Sequence, residues 1–167
     1  LDIDMDDEAT YMWITLYAMD DNNYENYEID PSRDMMIITS NSGRNAMPIE
    51  MAMRCQKEGV YVVALTNLKQ SQNTTSRHPS GKRLFECADC VIDSCVPEGD
   101  ATLDIGGIKT GPGSSLVTMA IMNTIVSEAI KIVVSHGKRP YVFQSQNVDG
   151  FDNNAIYDHF YGRVKHF

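Results

Sequence analysis

Residues 35–67 read MMIITSNSGRNAMPIEMAMRCQKEGVYVVALTN, and this stretch decides the fold class. An apolar run, Met35–Ile38, stops at Thr39 and passes into Ser40-Asn41-Ser42-Gly43-Arg44-Asn45. From Met47 the apolar residues fall at helical spacing, and Gly59 supplies a helix stop. Residues 60–67, VYVVALTN, are rich in β-branched side chains and predict a second strand. Strands this apolar are buried on both faces, and a helix between them makes the pair parallel.

The same alternation continues outward. Residues 80–89 predict a short helix, 90–94 a third strand, 113–137 a long and mostly apolar helix, and 140–145 (PYVFQS) a fourth strand. The fold class is therefore α/β, a three-layer αβα sandwich around a parallel sheet, with the domain proper in residues 35–167. Residues 1–34 form an acidic leader, in which DDEATYMWITLYAMDD reads as a helix with acids at its N-terminal end.

Composition narrows the function classes. A chain of 167 residues, 43% hydrophobic, is one domain's worth with a core of its own. Eleven of the 23 Asp and Glu fall in residues 1–34 against Arg33 alone, so the rest of the chain is close to neutral despite a net charge of −9. No basic stripe appears, which argues against nucleic acid. The apolar stretches read as strand-sized, so neither a membrane span nor a signal peptide is expected. Cys87 and Cys90 have C-x-x-C spacing, but one closes a helix and the other opens a strand. With Cys55 and Cys95 they read as small thiols in a reducing cytoplasm, and no metal or other cofactor is expected.

Chemistry collects in the loops. In an open parallel sheet, ligands bind beyond the carboxyl ends of the strands. The four segments that leave those ends are SNSGRN (40–45), NLKQSQNTTSRHPSGK (67–82), CVPEGDATLDIGGIKTGPGSS (95–115) and QSQNVDGFDNN (144–154), all unusually polar. In the first, Gly43 permits a tight turn, and N–H groups at the start of the following helix favour an anion. Ser40, Ser42 and Asn45 add donors suited to a phosphate. On these residues alone, a capped strand-to-helix turn and an anion cradle stay equally open. The G-x-x-x-x-G-K-[ST] phosphate loop is absent.

ISNSGRNAMPIEMAMRCQKEGVYVVALTN followed by LFECADCVID resembles the second half of a sugar isomerase (SIS) domain, and GPGSSLVTMAIMNTIVSEA its long C-terminal helix. SRHPSGKRLFECAD, PEGDA and NVDG resemble a branch of bacterial single-domain SIS proteins, so the likeness runs over roughly residues 23–167. The resemblance implies binding of a sugar phosphate. It carries phosphate contacts to Ser40, Asn41, Ser42, Gly43 and Asn45, the last standing where Thr or Ser is usual. It extends the site to Thr66 at the end of the second strand, to Arg77, and to Ser114 and Ser115. It also implies a homodimer or higher oligomer. An SIS domain's first strand and first loop are not recognised in residues 1–34. The chain therefore reads either as a fragment, which a leucine start fits, or as one in which another segment substitutes.

Aldose–ketose isomerisation needs a base to move a proton between adjacent carbons and an acid to open the ring. His78 is the expected acid/base, with Lys82 and Arg77 to neutralise phosphate or polarise a carbonyl. Asp100, Asp104, Asn147 and Asp149 are further candidates at the same edge for sugar hydroxyls. The alternative is a phosphosugar-sensing module without chemistry.

Overall fold

The computed structural model describes residues 13–16, 24 and 28–162. Four strands, β1 (Trp13–Leu16), β2 (Met35–Thr39), β3 (Tyr61–Thr66) and β4 (Cys90–Asp93), form one parallel sheet in the order β1-β2-β3-β4. Helix α1 (Ala46–Lys57) joins β2 to β3; the short α2 (Leu68–Gln72) and a 3-10 helix (Leu84–Cys87) lie between β3 and β4. The chain is thus α/β with a parallel sheet, as the alternation predicts.

Strand periodicity sorts the core. Met36 and Ile38 of β2 and Val62 and Ala64 of β3 share one face, where they meet Ile49, Ala52 and Cys55 of α1 and Leu84 and Cys87 of the 3-10 helix. Ile37, Val63 and Leu65 on the opposite face are buried as well, which is why these strands read as unbroken apolar runs. Tyr24 closes the far end of α1: its hydroxyl donates to Glu58 Oε2 at 2.7 Å and Arg54 lies 4.1 Å over its ring. The carboxyl ends of all four strands face the same way, so the loops leaving them share one edge.

Several expectations change. The helix read into the leader is overturned at Trp13–Leu16, which pair in parallel register with Met35–Ile38. Aromatic and β-branched residues crowd YMWITLY, and that propensity outweighs the acids ahead of it. The rest of residues 1–12, 17–23 and 25–27 lies outside the described residues. The segment 95–115 is not a plain loop. It contains an antiparallel hairpin, β5 (Ala101–Ile105) and β6 (Ile108–Pro112), turned at Gly106-Gly107 with φ of 61° and 87°. PYVFQS is not a strand. The side-chain amide of Asn153 accepts from Gln144 N (3.0 Å) and donates to Gln144 O (2.9 Å), which occupies the backbone groups a neighbouring strand would need. Tyr141 stacks on His159 of a short helix α4 (Asn154–Phe160) at 4.0 Å.

The long helix α3 (Ser114–Ser135) forms as expected, but Thr118 is its one fully buried residue. Its other residues are exposed or half-buried, so the helix is not enclosed in this chain's own core. By length and composition it is long and apolar enough to cross a membrane, which corrects the reading of strand-sized apolar stretches.

Burial in the α1 layer has a pH consequence. Desolvation pushes the Cys55 thiol from about 9 up to about 11, and moves Cys87 in the same direction. Below pH 9 both folded and unfolded chains hold the thiol proton, so nothing is lost. Between about 9 and 11 only the unfolded chain ionises, and stability falls as pH rises, by up to about 1.4 kcal/mol per unit. Urea unfolding at pH 8, 9 and 10 should show this decline, and Cys55→Ala should reduce its slope even though it lowers stability at every pH.

Candidate functional site

The Ser40–Asn45 loop leaves β2 at the carboxyl edge and runs directly into α1. Its carbonyls are taken by the body of the protein. Asn41 O accepts from Asn67 N (2.9 Å) and Thr66 Oγ1 (3.1 Å), Gly43 O from Leu84 N (2.8 Å), and Arg44 O from Arg77 N (2.8 Å). In a trans peptide the C=O and the next N–H point in opposite directions. Carbonyls anchored inward at 41, 43 and 44 therefore turn the N–H groups of Ser42, Arg44 and Asn45 away from those anchors. Among the described residues none of these N–H groups, nor that of Gly43 or the Ser42 hydroxyl, has an acceptor. Asn45 precedes α1 without capping it, and its Oδ1 accepts from Arg77 Nη1 instead (3.1 Å). The start of α1 is left with open donors.

Gly43 makes this geometry accessible. Its φ is +59°, and a Cβ there would sit 2.6 Å from Ser71 Oγ, 3.1 Å from Thr66 Oγ1 and 3.5 Å from Leu84 Cβ. The loop backbone lies flat on the start of the 66–84 segment. The buried hydroxyl of Ser71, with Thr39 Oγ1, Asn41 Oδ1, Arg44 Nε and Ser94 Oγ, has no hydrogen-bond partner.

The SRHPSGK turn is strapped across the start of α1. Ser76 Oγ donates to Lys82 O (2.6 Å) and accepts from His78 N (3.0 Å), closing the turn on itself. His78 Nδ1 accepts from Ser80 N (3.1 Å) and lies 2.7 Å from Ser80 Oγ, which itself accepts from Lys82 N (3.2 Å). That pattern places the ring proton on Nε2, assigned from the network, where it donates to Glu50 Oε1 at 2.7 Å. The imidazole is 7% exposed and the Glu50 side chain 63% exposed. His78 is thus clamped at both nitrogens, with Glu50 one turn into α1 as its outer partner. Arg44 Nη2 donates to Thr75 Oγ1 (3.1 Å), a further tie between loop and strap. Lys82 is exposed and its ammonium has no partner among the described residues.

The third loop joins through Gln70, whose Oε1 accepts from Asn41 Nδ2 (3.3 Å), Asn67 Nδ2 (3.5 Å) and Gly99 N (3.3 Å). Next to Gly99, Asp100 accepts from Ser114 N (2.6 Å) and Ser114 Oγ (2.8 Å), so it caps α3 and occupies the Ser114 hydroxyl. Ser115 is exposed without a partner. Asp104 is used inside the hairpin. It pairs with Lys109 (2.8 Å), which holds its carboxyl below the usual range, and accepts from Gly107 N (2.8 Å). Asn147 and Asp149 are exposed, and no hydrogen bond ties them to the Ser40–Asn45 loop. Sequence reasoning missed Glu50, Gln70, Ser71 and Ser80. Only Asn67-x-x-Gln70 carries a local signal, as Asn67 Oδ1 caps Gln70 N (3.0 Å).

Residues 15–67 match the family model described as SIS domain. This segment belongs to the SIS family. The match takes in the last two residues of β1, with β2, the Ser40–Asn45 loop, α1 and β3. The chain is also 41% identical over 133 residues to a UPF0309 protein of Halalkalibacterium halodurans, covering 77% of this chain and 55% of that protein. A UPF0309 protein of Streptomyces griseus is 41% identical over 119 residues, covering 70% and 47%. One from Caldanaerobacter subterraneus is 36% identical over 149 residues, covering 86% and 60%. The chain spans about half the length of these relatives.

The fit of the SIS loop onto the 66–84 segment is testable at Gly43. Gly43→Ala must both hold a positive φ and displace Ser71 Oγ, whereas Gly81→Ala meets only the first demand, since nothing lies within 4 Å there. Urea unfolding should show Gly43→Ala costing about 2–4 kcal/mol and Gly81→Ala about 1 kcal/mol. Adding Ser71→Ala should return part of the larger loss, and a strictly additive double mutant would contradict the contact.

Proposed function

We propose that this chain binds a phosphorylated sugar, its phosphate held by the N–H groups of Ser42–Asn45 and the hydroxyls of Ser40 and Ser42. The observation that carries this reading is the row of unpaired donors at the start of α1, in a loop whose Asn41, Gly43 and Arg44 carbonyls are anchored on the other side. Helix dipole and N–H groups together favour an anion with several acceptor oxygens. The SIS family assignment of residues 15–67 supports the same ligand class. Arg77, held by Asn45, stands beside the loop as a countercharge.

The enzymatic form of this reading is aldose–ketose isomerisation. His78 is its acid/base: with the proton on Nε2, Nδ1 is the basic nitrogen and gains access to substrate when the turn at Ser80, whose N–H and hydroxyl both face it, opens. Lys82, unpaired on the same turn, serves to polarise a carbonyl oxygen. The alternative, a sensing module without chemistry, is favoured by the engagement of both His78 nitrogens.

Thermal unfolding against a panel of hexose and pentose phosphates tests the binding. A ligand at one hundred times its Kd adds about 2.7 kcal/mol of stability, so one or more phosphosugars should raise Tm while the same sugars without phosphate do not. Ser42→Ala should shrink the shift. Solvent deuterium exchange at C2 of the stabilising sugar phosphate separates the two forms. Exchange lost in His78→Asn supports isomerisation, and stabilisation without exchange supports sensing. No stabilisation by any phosphosugar overturns both.

A further inference from the structure

Beside the Ser40–Asn45 loop, one amide is used at only one of its ends. Gln70 of α2 is half-buried where three segments of the carboxyl edge meet. Its Oε1 faces three nitrogens: Asn41 Nδ2 (3.3 Å), Asn67 Nδ2 (3.5 Å) and Gly99 N (3.3 Å). Two of these are donors on independent grounds. Gly99 N is a backbone N–H. The Asn67 amide is fixed from both ends, since its Nδ2 donates to Val96 O (2.6 Å) and its Oδ1 accepts from Gln70 N (3.0 Å). The Gln70 atom they meet must be the oxygen, which assigns the other atom as the NH2 group. That nitrogen has no acceptor among the described residues and, unlike Asn41 Oδ1, is not sealed from solvent. Gln70 is thus a donor whose direction is set by what its own oxygen accepts.

On the phosphosugar reading above, we infer that Gln70 reads the sugar, its NH2 donating to a hydroxyl oxygen of the ligand whose phosphate the Ser42–Asn45 N–H groups hold. The donor stands next to that cradle, because Asn41, which Gln70 touches, immediately precedes Ser42. It is oriented before any ligand arrives, so binding spends little rotamer entropy on it. Its chemistry suits the sugar better than the phosphate. A neutral amide offers no countercharge, a task that falls to Arg77, but it matches an uncharged hydroxyl. Because the NH2 is open to water in the free protein, its preference amounts to one neutral hydrogen bond and not to orders of magnitude. Gln70 also ties three segments together, and the two roles rest on different atoms. The oxygen staples and the nitrogen reads, so the roles can be separated by substitution.

Gln70→Glu keeps an oxygen for the three donors and replaces the NH2 with a second acceptor, whereas Gln70→Met removes both. Isothermal titration of the full chain with inorganic phosphate and with a panel of hexose and pentose phosphates gives the ratio of the two affinities for each protein. The charge that Glu adds acts on both kinds of ligand and drops out of that ratio. For the tightest sugar phosphate, the ratio should fall roughly three- to tenfold in both variants, the size of one neutral hydrogen bond. Gln70→Met should melt below Gln70→Glu, since only Met leaves the three donors unpaired. Among monodeoxy forms of that sugar phosphate, one should give the same ratio with the parent and with Gln70→Glu, which marks the hydroxyl contacted. A ratio unchanged in both variants, a fall in Gln70→Met alone, or an equal fall with every deoxy form overturns the inference and leaves the phosphosugar reading standing. A parent that binds no sugar phosphate more tightly than inorganic phosphate overturns both.

Discussion

The seating of the Gly43 backbone on Ser71, Thr66 and Leu84 is the contact on which the carboxyl edge of the sheet depends. Buried backbone groups must be paired, and here the pairing runs in one direction. The loop gives its carbonyls to Asn67, Leu84 and Arg77, which belong to the segment joining β3 to β4. That single choice anchors the SRHPSGK strap, places the 3-10 helix against α1, and turns the loop's N–H groups outward. A side chain at 43 would lift the loop from its bed, and each of these consequences would loosen with it. The orphaned hydroxyl of Ser71 beneath the loop shows how closely the backbone is seated, since the space that would admit a partner is filled by Gly43 itself.

Stability is unevenly distributed as a result. Residues 34–96 contain nearly all the buried side chains, while beyond Val96 burial is confined to Thr118, Asn153 and Ile156 among the described residues. A two-stranded hairpin is marginal by itself in water, and α3 rests on the body chiefly through its first turns, where Asp100 holds Ser114 and Gly113 lies against Thr102 and Val96. Large apolar side chains left outside this way do not lower free energy where they stand; they do so only against another surface.

Much of the fold is legible because its strands and helices declare themselves locally. β2, α1, β3, β4 and α3 each have a period, a stop residue or a run of β-branched residues. The errors arise where local pattern is not the deciding force. PYVFQS has strand composition but no neighbour, and one asparagine amide satisfies Gln144 in place of a ladder. The hairpin was within reach, since Gly106-Gly107 between apolar–polar alternations is a strong turn signal, but the surrounding Gly and Asp made the whole stretch read as loop. In the site, the turn at Gly43 follows from sequence, as does the position of Ser42 and Asn45 at the start of a helix. Glu50, Gln70 and Ser71 do not, because their parts are set by residues 28 or 29 positions away, and no spacing encodes that distance.

Helix α1 shows how one element serves both the core and the edge. Its interior face supplies Ile49, Ala52 and Cys55 to the core, and its last turn carries Arg54 and Lys57, which favour the negative end of the dipole. Its first turn contains Pro48, which has no N–H to offer. The open N–H donors therefore lie in the loop ahead of the helix rather than along its first turn. That loop is held from below by Gly43 and from the side by Arg77. Glu50, just beyond the proline, turns to His78. The proline thus stands between the open donors of the loop and the residue that grips the strap, and the two are neighbours at one helix start.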